Sequence, residues 1–368
     1  MNMNNKNWVS VWGNAVSIAE HHPEAYAKYI TLRYPVYIPF DGDTLRFTFD
    51  NYCGSEAVTV TRATVSAATS PVYEKMPLAC PCKKETICDI TFSKNESVTM
   101  EAHQTAVSDP VSFPGKKGMT LTVSLYFADF TLMQSAVLVT GPLSKGFFSL
   151  GDQTHADALP MDTTKTTNWF YFLSNIELMT AEENHTVICY GDSITAGAWP
   201  DYLTLLARQN PDNHTAFIRR ATSGSRVLRQ YECITYDSYG LKGTNRFPHE
   251  IPTTGADTVI IQQGINDIIH PVGIETNPFR PMSDLPTVKE LIDGYRYYIE
   301  EAKKSHLKVY MGTLLPIFGW RTYATFRDDL RNELNAWIRS AKEIDGCIDF
   351  DLALRGSENP SAFREGFD

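Results

Sequence analysis

The sequence lacks any long hydrophobic run. No stretch approaches the ~18 consecutive apolar residues that a membrane-spanning helix needs. Residues 1–6 lead directly to Trp8, without the apolar segment of a signal peptide. A chain from which a signal peptide had been removed would begin in the same way. We therefore expect a cytoplasmic protein with no membrane partner.

Basic residues are fewer than acidic ones. Lys and Arg together number 33 against 43 Asp and Glu, which gives a net charge of −10. Such a balance argues against nucleic acid as a partner. The hydrophobic fraction of 43% and the charged fraction of 21% are typical of soluble globular proteins. A length of 368 residues favours two domains, each large enough to bury its own core.

Cysteine is scarce, and its number, seven, is odd. This fits a reducing compartment better than a disulfide framework. Cys80, Cys82 and Cys88 form a cluster, but a structural zinc site usually needs four ligands and no nearby histidine completes this set. We expect reduced thiols in a loop and no metal. The remaining cysteines are interpreted as small core or turn residues: Cys53, Cys189, Cys233 and Cys347.

The stretch 187–206 changes character abruptly. An apolar run stops at Gly191, Asp192 and Ser193 and then passes through Pro200 into a helical pattern of apolar residues. This predicts strand, tight turn and helix. Such a turn lifts a short hydroxyl side chain off the carboxyl end of a buried strand, beside backbone N–H groups. Gly, Asp and Ser are also common turn residues, but Ser193 is the candidate nucleophile.

Two later predicted strands also end in small or polar turns. The strand at 215–219 is followed by Gly224, and the strand at 258–263 is followed by Asn266. Ligands bind at this edge of open α/β sheets. A glycine lets the backbone approach an oxyanion and an asparagine amide can donate to it, which stabilises a tetrahedral intermediate. Alternatively, Gly224 is a turn glycine and Asn266 caps the next helix.

These motifs, in this order, resemble the GDSL (SGNH) hydrolase family of esterases and acyl hydrolases. The resemblance rests on Gly191-Asp192-Ser193, Gly224 and Gly264-Ile265-Asn266-Asp267. It implies Ser193 as the nucleophile and no cofactor. It also implies an oxyanion hole formed by the backbone N–H groups of Ser193 and Gly224 and the side-chain amide of Asn266.

Three further residues are candidates for binding the substrate: Asp192, Arg246 and His270. Asp267 and His270 have the Asp-x-x-His spacing of the catalytic pair in family members, but they overlap the Asn266 block. We therefore interpret His270 as a residue of the pocket rim or a loop. Family members carry their Asp-x-x-His-Pro stretch after the fifth strand, and here no histidine follows His306. We expect that stretch, and the C-terminal end of the domain, beyond residue 368.

Residues 1–183 alternate with period two, as at 44–49 and 121–127, and turn signals separate the alternating runs. This predicts an antiparallel, jelly-roll-like β-sandwich, with a helical turn at 20–28.

Two-domain GDSL esterases that act on acylated carbohydrates carry a similar sandwich, and the stretches 199–201 and 313–316 also resemble stretches of those esterases. Aromatic residues of this part would either stack on sugar rings or pack between the domains, and we favour packing: Trp8, Trp12, Trp169, Phe170 and Tyr171.

Residues 184–368 alternate between strand and helix patterns. After the strands already described, a helix at 285–306, a strand at 308–315, a helix at 323–341 and a strand at 347–350 are expected. With right-handed crossovers, this order predicts a flavodoxin-like, three-layer α/β/α domain.

The sequence as a whole predicts a serine esterase that removes small acyl groups, with acetylated carbohydrate as the substrate class. A lysophospholipase or thioesterase is the alternative enzyme. A carbohydrate-binding protein with an inert hydrolase domain is the alternative outside enzymes.

Overall fold

The computed structural model describes residues 6–19, 26–231, 234–273 and 279–367. The predicted helical turn at 20–28 lies mostly outside these ranges, as does Cys233, while Tyr26–Ala27 form a short strand instead. Within the described ranges, no helix is long and apolar enough to cross a membrane.

The N-terminal part consists mostly of antiparallel strands, with a 3₁₀ turn at Lys84–Thr86. The strands are β1 (Lys6–Gly13), β2 (Tyr26–Ala27), β3 (Ile30–Tyr37), β4 (Gly42–Asp50), β5 (Val58–Val60), β6 (Arg62–Ala67), β7 (Cys88–Ile90), β8 (Val98–Met100), β9 (Thr105–Val107), β10 (Val111–Gly115), β11 (Thr120–Phe127), β12 (Thr131–Leu132), β13 (Ala136–Leu138), β14 (Gly146–Leu150), β15 (Lys165–Thr167), β16 (Trp169–Tyr171) and β17 (Leu173–Ala181).

Two antiparallel sheets dominate this part. One has the order β1-β17-β4-β10, with β9 also paired to β4, and the other has the order β15-β14-β3-β11-β6-β7. The alternation in β4 buries Leu45, Phe47 and Phe49, which share one hydrophobic cluster with Val123 and Leu125 of β11. The arrangement is compatible with the predicted sandwich.

Thiols of this part are unpaired. The described cysteines are free, including Cys80, Cys82 and Cys88. No group of three or more His, Cys, Asp or Glu among the described residues is placed to hold a metal ion.

The C-terminal part contains a parallel sheet with helices between its strands, as predicted. Its strands are β18 (His185–Gly191), β19 (Thr215–Ala221), β20 (Ala256–Gln262), β21 (Lys308–Gly312) and β22 (Gly346–Ile348). Its helices are α1 (Ser193–Ala196), α2 (Trp199–Arg208), α3 (Gly243–Glu250), α4 (Ile265–Ile269), α5 (Val288–Lys304), α6 (Thr325–Ser340) and α7 (Phe350–Leu354), with 3₁₀ turns at Ile234–Tyr239 and Met282–Asp284.

Helix α5 shows how the local sequence determines where such an element begins and which of its faces is buried. Thr287 and Glu290 form a reciprocal capping box at its start, so the helix begins within three residues of the predicted 285. Its apolar stripe buries Leu291, Tyr295 and Tyr298 against the sheet.

Strand order brings the candidate turns to one edge. The parallel sheet runs β19-β18-β20-β21-β22, and Gly191 at the end of β18 pairs with Ala221 on one side and Gln262 on the other. The chain therefore leaves three adjacent strands at the same level. The point between β18 and β20 is where the strand order reverses, the usual position of a ligand site in such sheets.

The antiparallel and parallel parts are bonded together along β1 and β19. The buried guanidinium of Arg220 donates to the carbonyls of Asn14 and Ser174, at 2.5 and 2.9 Å, and to the side chain of Asn175 at 3.0 Å. The connection between β17 and β18 spans residues 182–184, where the sequence predicts the domain boundary.

Candidate functional site

Ser193 is the first residue of helix α1, directly after the turn that ends β18. Asp192 caps this helix, since its carboxylate accepts the backbone N–H of Ile194 at 3.1 Å. The Ser193 side chain is exposed, and no described residue forms a hydrogen bond with its hydroxyl. The predicted strand-turn-helix therefore presents an exposed hydroxyl at the carboxyl edge of the sheet.

Gly224 lies in the turn after β19. Its φ is 78°, and a Cβ there would lie 2.2 Å from the ring of Tyr239, so both conformation and space require glycine. The turn is bonded to the end of β18, since the Thr222 N–H donates to the Gly191 carbonyl at 3.1 Å. This brings the Gly224 turn alongside the turn that carries Ser193.

Asn266 lies in the first turn of α4, after β20. The N-cap of that helix is Gly264, so the alternative interpretation of Asn266 as a helix cap is wrong. Its side chain is 4% exposed, and its Nδ2 donates to the carbonyl of Ser225, at 3.0 Å, in the turn that carries Gly224. An amide NH₂ has two N–H donors, and the contact with Ser225 uses one of them.

Two carboxyl groups are buried at this edge. Asp267 accepts the backbone N–H groups of Val227 and Leu228, at 2.8 and 3.1 Å, and burial raises its pKa to about 6. Burial also raises the pKa of Asp192 to about 7, and the nearby charge of Asp267 adds to the rise. Asp192 acts as a helix cap beneath Ser193, and its burial leaves it no open face toward a substrate.

Arg246 supports the Ser193 turn from inside the protein. Its Nη2 donates to the Gly191 carbonyl at 3.0 Å, and its Nη1 contacts Glu250 at 2.9 Å and Thr222 at 3.1 Å. With a residue exposure of 1%, the guanidinium cannot reach a substrate in this conformation. Its expected role in substrate binding is therefore corrected to one of holding the end of β18.

His270 follows α4 at a bend and is buried, so it lies in a loop, as one of the two interpretations has it, and not at a pocket rim. Its Nδ1 is hydrogen-bonded to the Tyr231 hydroxyl, and its ring stacks on that of Tyr239 at 5.5 Å. Burial, with the neighbouring Arg280, Arg226 and Arg321 in support, lowers its pKa to about 3. A neutral imidazole bound in this way serves as packing in an aromatic cluster.

Gln262 and Gln263 also belong to this edge, although neither was predicted as a site residue. Gln262 accepts the Thr195 hydroxyl at 3.2 Å, while Gln263 donates to the Ser225 hydroxyl at 2.9 Å and accepts that of Tyr298 at 2.7 Å. Both side chains are buried and tie neighbouring turns to the sheet. Two consecutive amides at the end of an apolar strand were the signal, because buried polar side chains need partners.

We predict that replacing Asp192 by asparagine changes how stability depends on pH. In the unfolded chain this carboxyl ionises near pH 4, whereas burial keeps it protonated up to a pKa of about 7 in the fold. The contribution of Asp192 to wild-type stability should therefore fall as pH rises from about 4 to about 7. Asparagine does not titrate, so the variant should gain on the order of 2 kcal/mol relative to wild type between pH 5 and pH 8.

Urea unfolding of variant and wild type at pH 5 and at pH 8 measures this gain in stability. Asp212→Asn is the control, because that side chain is exposed and the exchange should give the same difference at each pH. An Asp192→Asn difference that does not change with pH would contradict the prediction.

Comparison with known proteins agrees with this geometry. Residues 189–368 match the model of the GDSL-like lipase/acylhydrolase family, and this part of the chain belongs to that family. The resemblance predicted from the three motifs is thereby confirmed. No curated protein sequence matches the chain.

Several solved structures are similar to part of the chain. A GDSL-like lipase from Bacteroides thetaiotaomicron is 20% identical, with 50% of this chain and 75% of that chain covered and a TM-score of 0.35. A member of the lipolytic G-D-S-L family from Veillonella parvula is 18% identical, with 45% and 78% covered and a TM-score of 0.31. The SGNH-hydrolase family esterase AlinE4 is 12% identical, with 45% and 77% covered and a TM-score of 0.32.

Proposed function

We propose that the protein is a serine esterase that removes small acyl groups, chiefly acetyl, from carbohydrate through an acyl-enzyme. The observation that carries this proposal is the exposed hydroxyl of Ser193 at the carboxyl edge of the parallel sheet, to which no described residue is hydrogen-bonded. The turns that carry Gly224 and Asn266 flank it on the two neighbouring strands.

Each residue has a distinct role in this mechanism. Ser193 attacks the ester carbonyl, and the alcohol leaves as the acyl-enzyme forms. The backbone N–H groups of Ser193 and Gly224 and the free amide N–H of Asn266 receive the oxyanion. The serine also needs a general base to take its proton. His270 is not assigned that task, because burial and three neighbouring arginines lower its pKa to about 3 and make it a weak base.

The architecture supports a carbohydrate ester as substrate. We assign residues 1–183 to an accessory, jelly-roll-like β-sandwich domain and 184–368 to a three-layer α/β/α hydrolase domain. Aromatic residues of the accessory domain are used in packing, as in the contact of Trp12 with Phe170 at 5.7 Å and the stacking of Phe170 on Tyr34 at 4.7 Å. Arg46 covers the ring of Trp8 at 4.6 Å.

The loop that follows β21 also carries exposed aromatic rings. Phe318 and Trp320 are 53% and 45% exposed there. The loop is tied to the helix that carries Asn266, since the Thr322 hydroxyl donates to the Ile269 carbonyl at 2.8 Å. Apolar rings at the edge of a hydrolase site offer a stacking surface for a sugar.

The proposal predicts that Trp320→Ala weakens binding of the sugar and leaves the rate of the chemical step unchanged. We expect KM for an acetylated oligosaccharide to rise about 3- to 10-fold, the equivalent of one lost ring contact. Hydrolysis of 4-nitrophenyl acetate, which has no sugar, should not change. Phe130→Ala is the matched control, because that ring is 73% exposed on the accessory part. Equal losses on both substrates would place Trp320 outside sugar binding.

A series of acyl chain lengths tests the acyl part of the proposal. Turnover should be fastest on the acetyl ester and fall with butyryl and octanoyl esters. A maximum at octanoyl would favour a lysophospholipase or thioesterase. Saturable binding of the oligosaccharide with no turnover that depends on Ser193 would favour an inert, carbohydrate-binding hydrolase domain.

A further inference from the structure

A buried ion pair lies behind the nucleophile helix. Asp201 on α2 and Arg219 on β19 approach to 2.6 Å between Oδ1 and Nη2, and their side chains are 9% and 6% exposed. Burying two charges is costly unless further hydrogen bonds satisfy them. The remaining partners of this pair therefore indicate what it holds in place.

Arg219 holds the C-terminal end of helix α1. Its Nε donates to the Thr195 carbonyl at 3.2 Å, and its Nη2 donates to the Gly197 carbonyl at 3.1 Å. The last carbonyls of a helix have no partner within the helix. Helix α1 has four residues, too few to be stable alone, and its first residue is Ser193. The orientation of the Ser193 hydroxyl thus depends on contacts outside the helix.

Asp201 connects the same pair to the N-terminal half of the chain. Its Oδ2 accepts the Ser144 hydroxyl at 3.0 Å and the Leu143 N–H at 2.9 Å. The Ser144 oxygen in turn accepts Nη1 of Arg219 at 3.0 Å. A Cβ on Gly141 would lie 2.2 Å from Oδ2 of Asp201, so a glycine is needed where this segment passes the carboxylate.

The same segment also contacts the nucleophile helix directly. The Thr140 N–H donates to the carbonyl of Ala196, the last residue of α1, at 3.0 Å. Segment 140–144 therefore reaches α1 by one direct hydrogen bond and by a route through Asp201 and Arg219.

We propose that Ser144, Asp201 and Arg219 are positioning residues that make the N-terminal half part of the nucleophile's support. This inference rests on the proposed function, since it assumes that Ser193 is the nucleophile. The three side chains are buried behind the nucleophile helix. They fix the end of α1, and a misplacement of the nucleophile by about 1 Å can cost ~10²-fold in rate. The N-terminal half thereby contributes to catalysis as well as to stability.

Asp201→Asn tests the positioning role of the buried ion pair. The substitution keeps the shape of the side chain and removes the negative charge that pairs with Arg219. We expect kcat on 4-nitrophenyl acetate to fall about 10-fold or more while KM stays within about 2-fold. Ser144→Ala removes the hydroxyl that bonds to both Asp201 and Arg219, leaves the Leu143 and Thr140 bonds in place, and should lower kcat by about 3-fold or more. It also keeps the inference testable if Asp201→Asn does not fold.

Glu177→Gln is the matched control. Its carboxylate is also 9% exposed and also pairs with an arginine, Arg46, but lies in the antiparallel sheet away from α1. Glu177→Gln should lower the thermal midpoint, as Asp201→Asn should, and should leave kcat unchanged. Unchanged kcat in both test variants, or an equal loss in the control, would overturn the inference. Turnover retained by Ser193→Ala would instead overturn the proposed function.

Discussion

Replacing Ser193 by alanine should abolish measurable hydrolysis of an aryl acetate, a loss of roughly 10⁴-fold or more. The reason is chemical, since the acyl-enzyme cannot form without the hydroxyl. Stability should not change, because the side chain is exposed and no described residue is bonded to it. Initial rates at saturating ester, together with the thermal midpoints of variant and wild type, measure both effects.

Ser340→Ala provides the control for this variant. Its hydroxyl is also exposed, at the end of α6, and it donates only to backbone carbonyls of its own helix. This variant should keep full activity. Turnover retained by Ser193→Ala would remove Ser193 from the mechanism, because no later step restores a missing nucleophile.

The parallel part of the fold could be predicted from the sequence because its signals are local. Buried parallel strands are nearly continuous apolar runs, and each is followed by a turn. Strands β18, β19 and β20 were expected where the structure has them, and so were helices α5 and α6. The turns that carry Ser193, Gly224 and Asn266 then meet because adjacent parallel strands end at one edge.

The roles of Arg246 and His270 could not be predicted, because they depend on contacts between residues far apart in the chain. Arg246 meets the carbonyl of Gly191, and His270 meets a tyrosine, Tyr231, that comes 39 residues earlier. Residue type alone made both candidates for binding the substrate. Burial, which only the fold reveals, assigns them to the support of the site.

Strand pairing in the N-terminal part shows the same limit. Period-two alternation predicted strands such as β4 and β11, yet β4 pairs with β17, more than a hundred residues later. Alternation defines which face of a strand is buried and does not identify its neighbour. The network of Ser144, Asp201 and Arg219 was missed for the same reason, since it joins a loop of one half to two elements of the other.

Asn266→Ala should lower kcat by roughly 10²–10³ with little change in KM. The amide donates to an oxygen that is negatively charged in the transition state and only weakly polar in the ground state. The loss therefore falls on the chemical step and leaves the binding of the ester nearly unchanged. Steady-state kinetics on 4-nitrophenyl acetate separate the two parameters, and a change confined to KM would assign Asn266 to ordinary substrate binding.

This variant has a structural consequence that the experiment must separate from the loss of a donor. Nδ2 of Asn266 also donates to the Ser225 carbonyl, so alanine loosens the turn that carries Gly224. Ser225→Ala loosens the same turn in another way, by removing the hydroxyl that accepts the Gln263 amide, and leaves the Asn266 contact intact. If Asn266 binds the oxyanion, Ser225→Ala should cost less than about 10-fold in kcat, well below the loss in Asn266→Ala. Equal losses would show that the geometry of the turn, and not an amide donor, sets the rate.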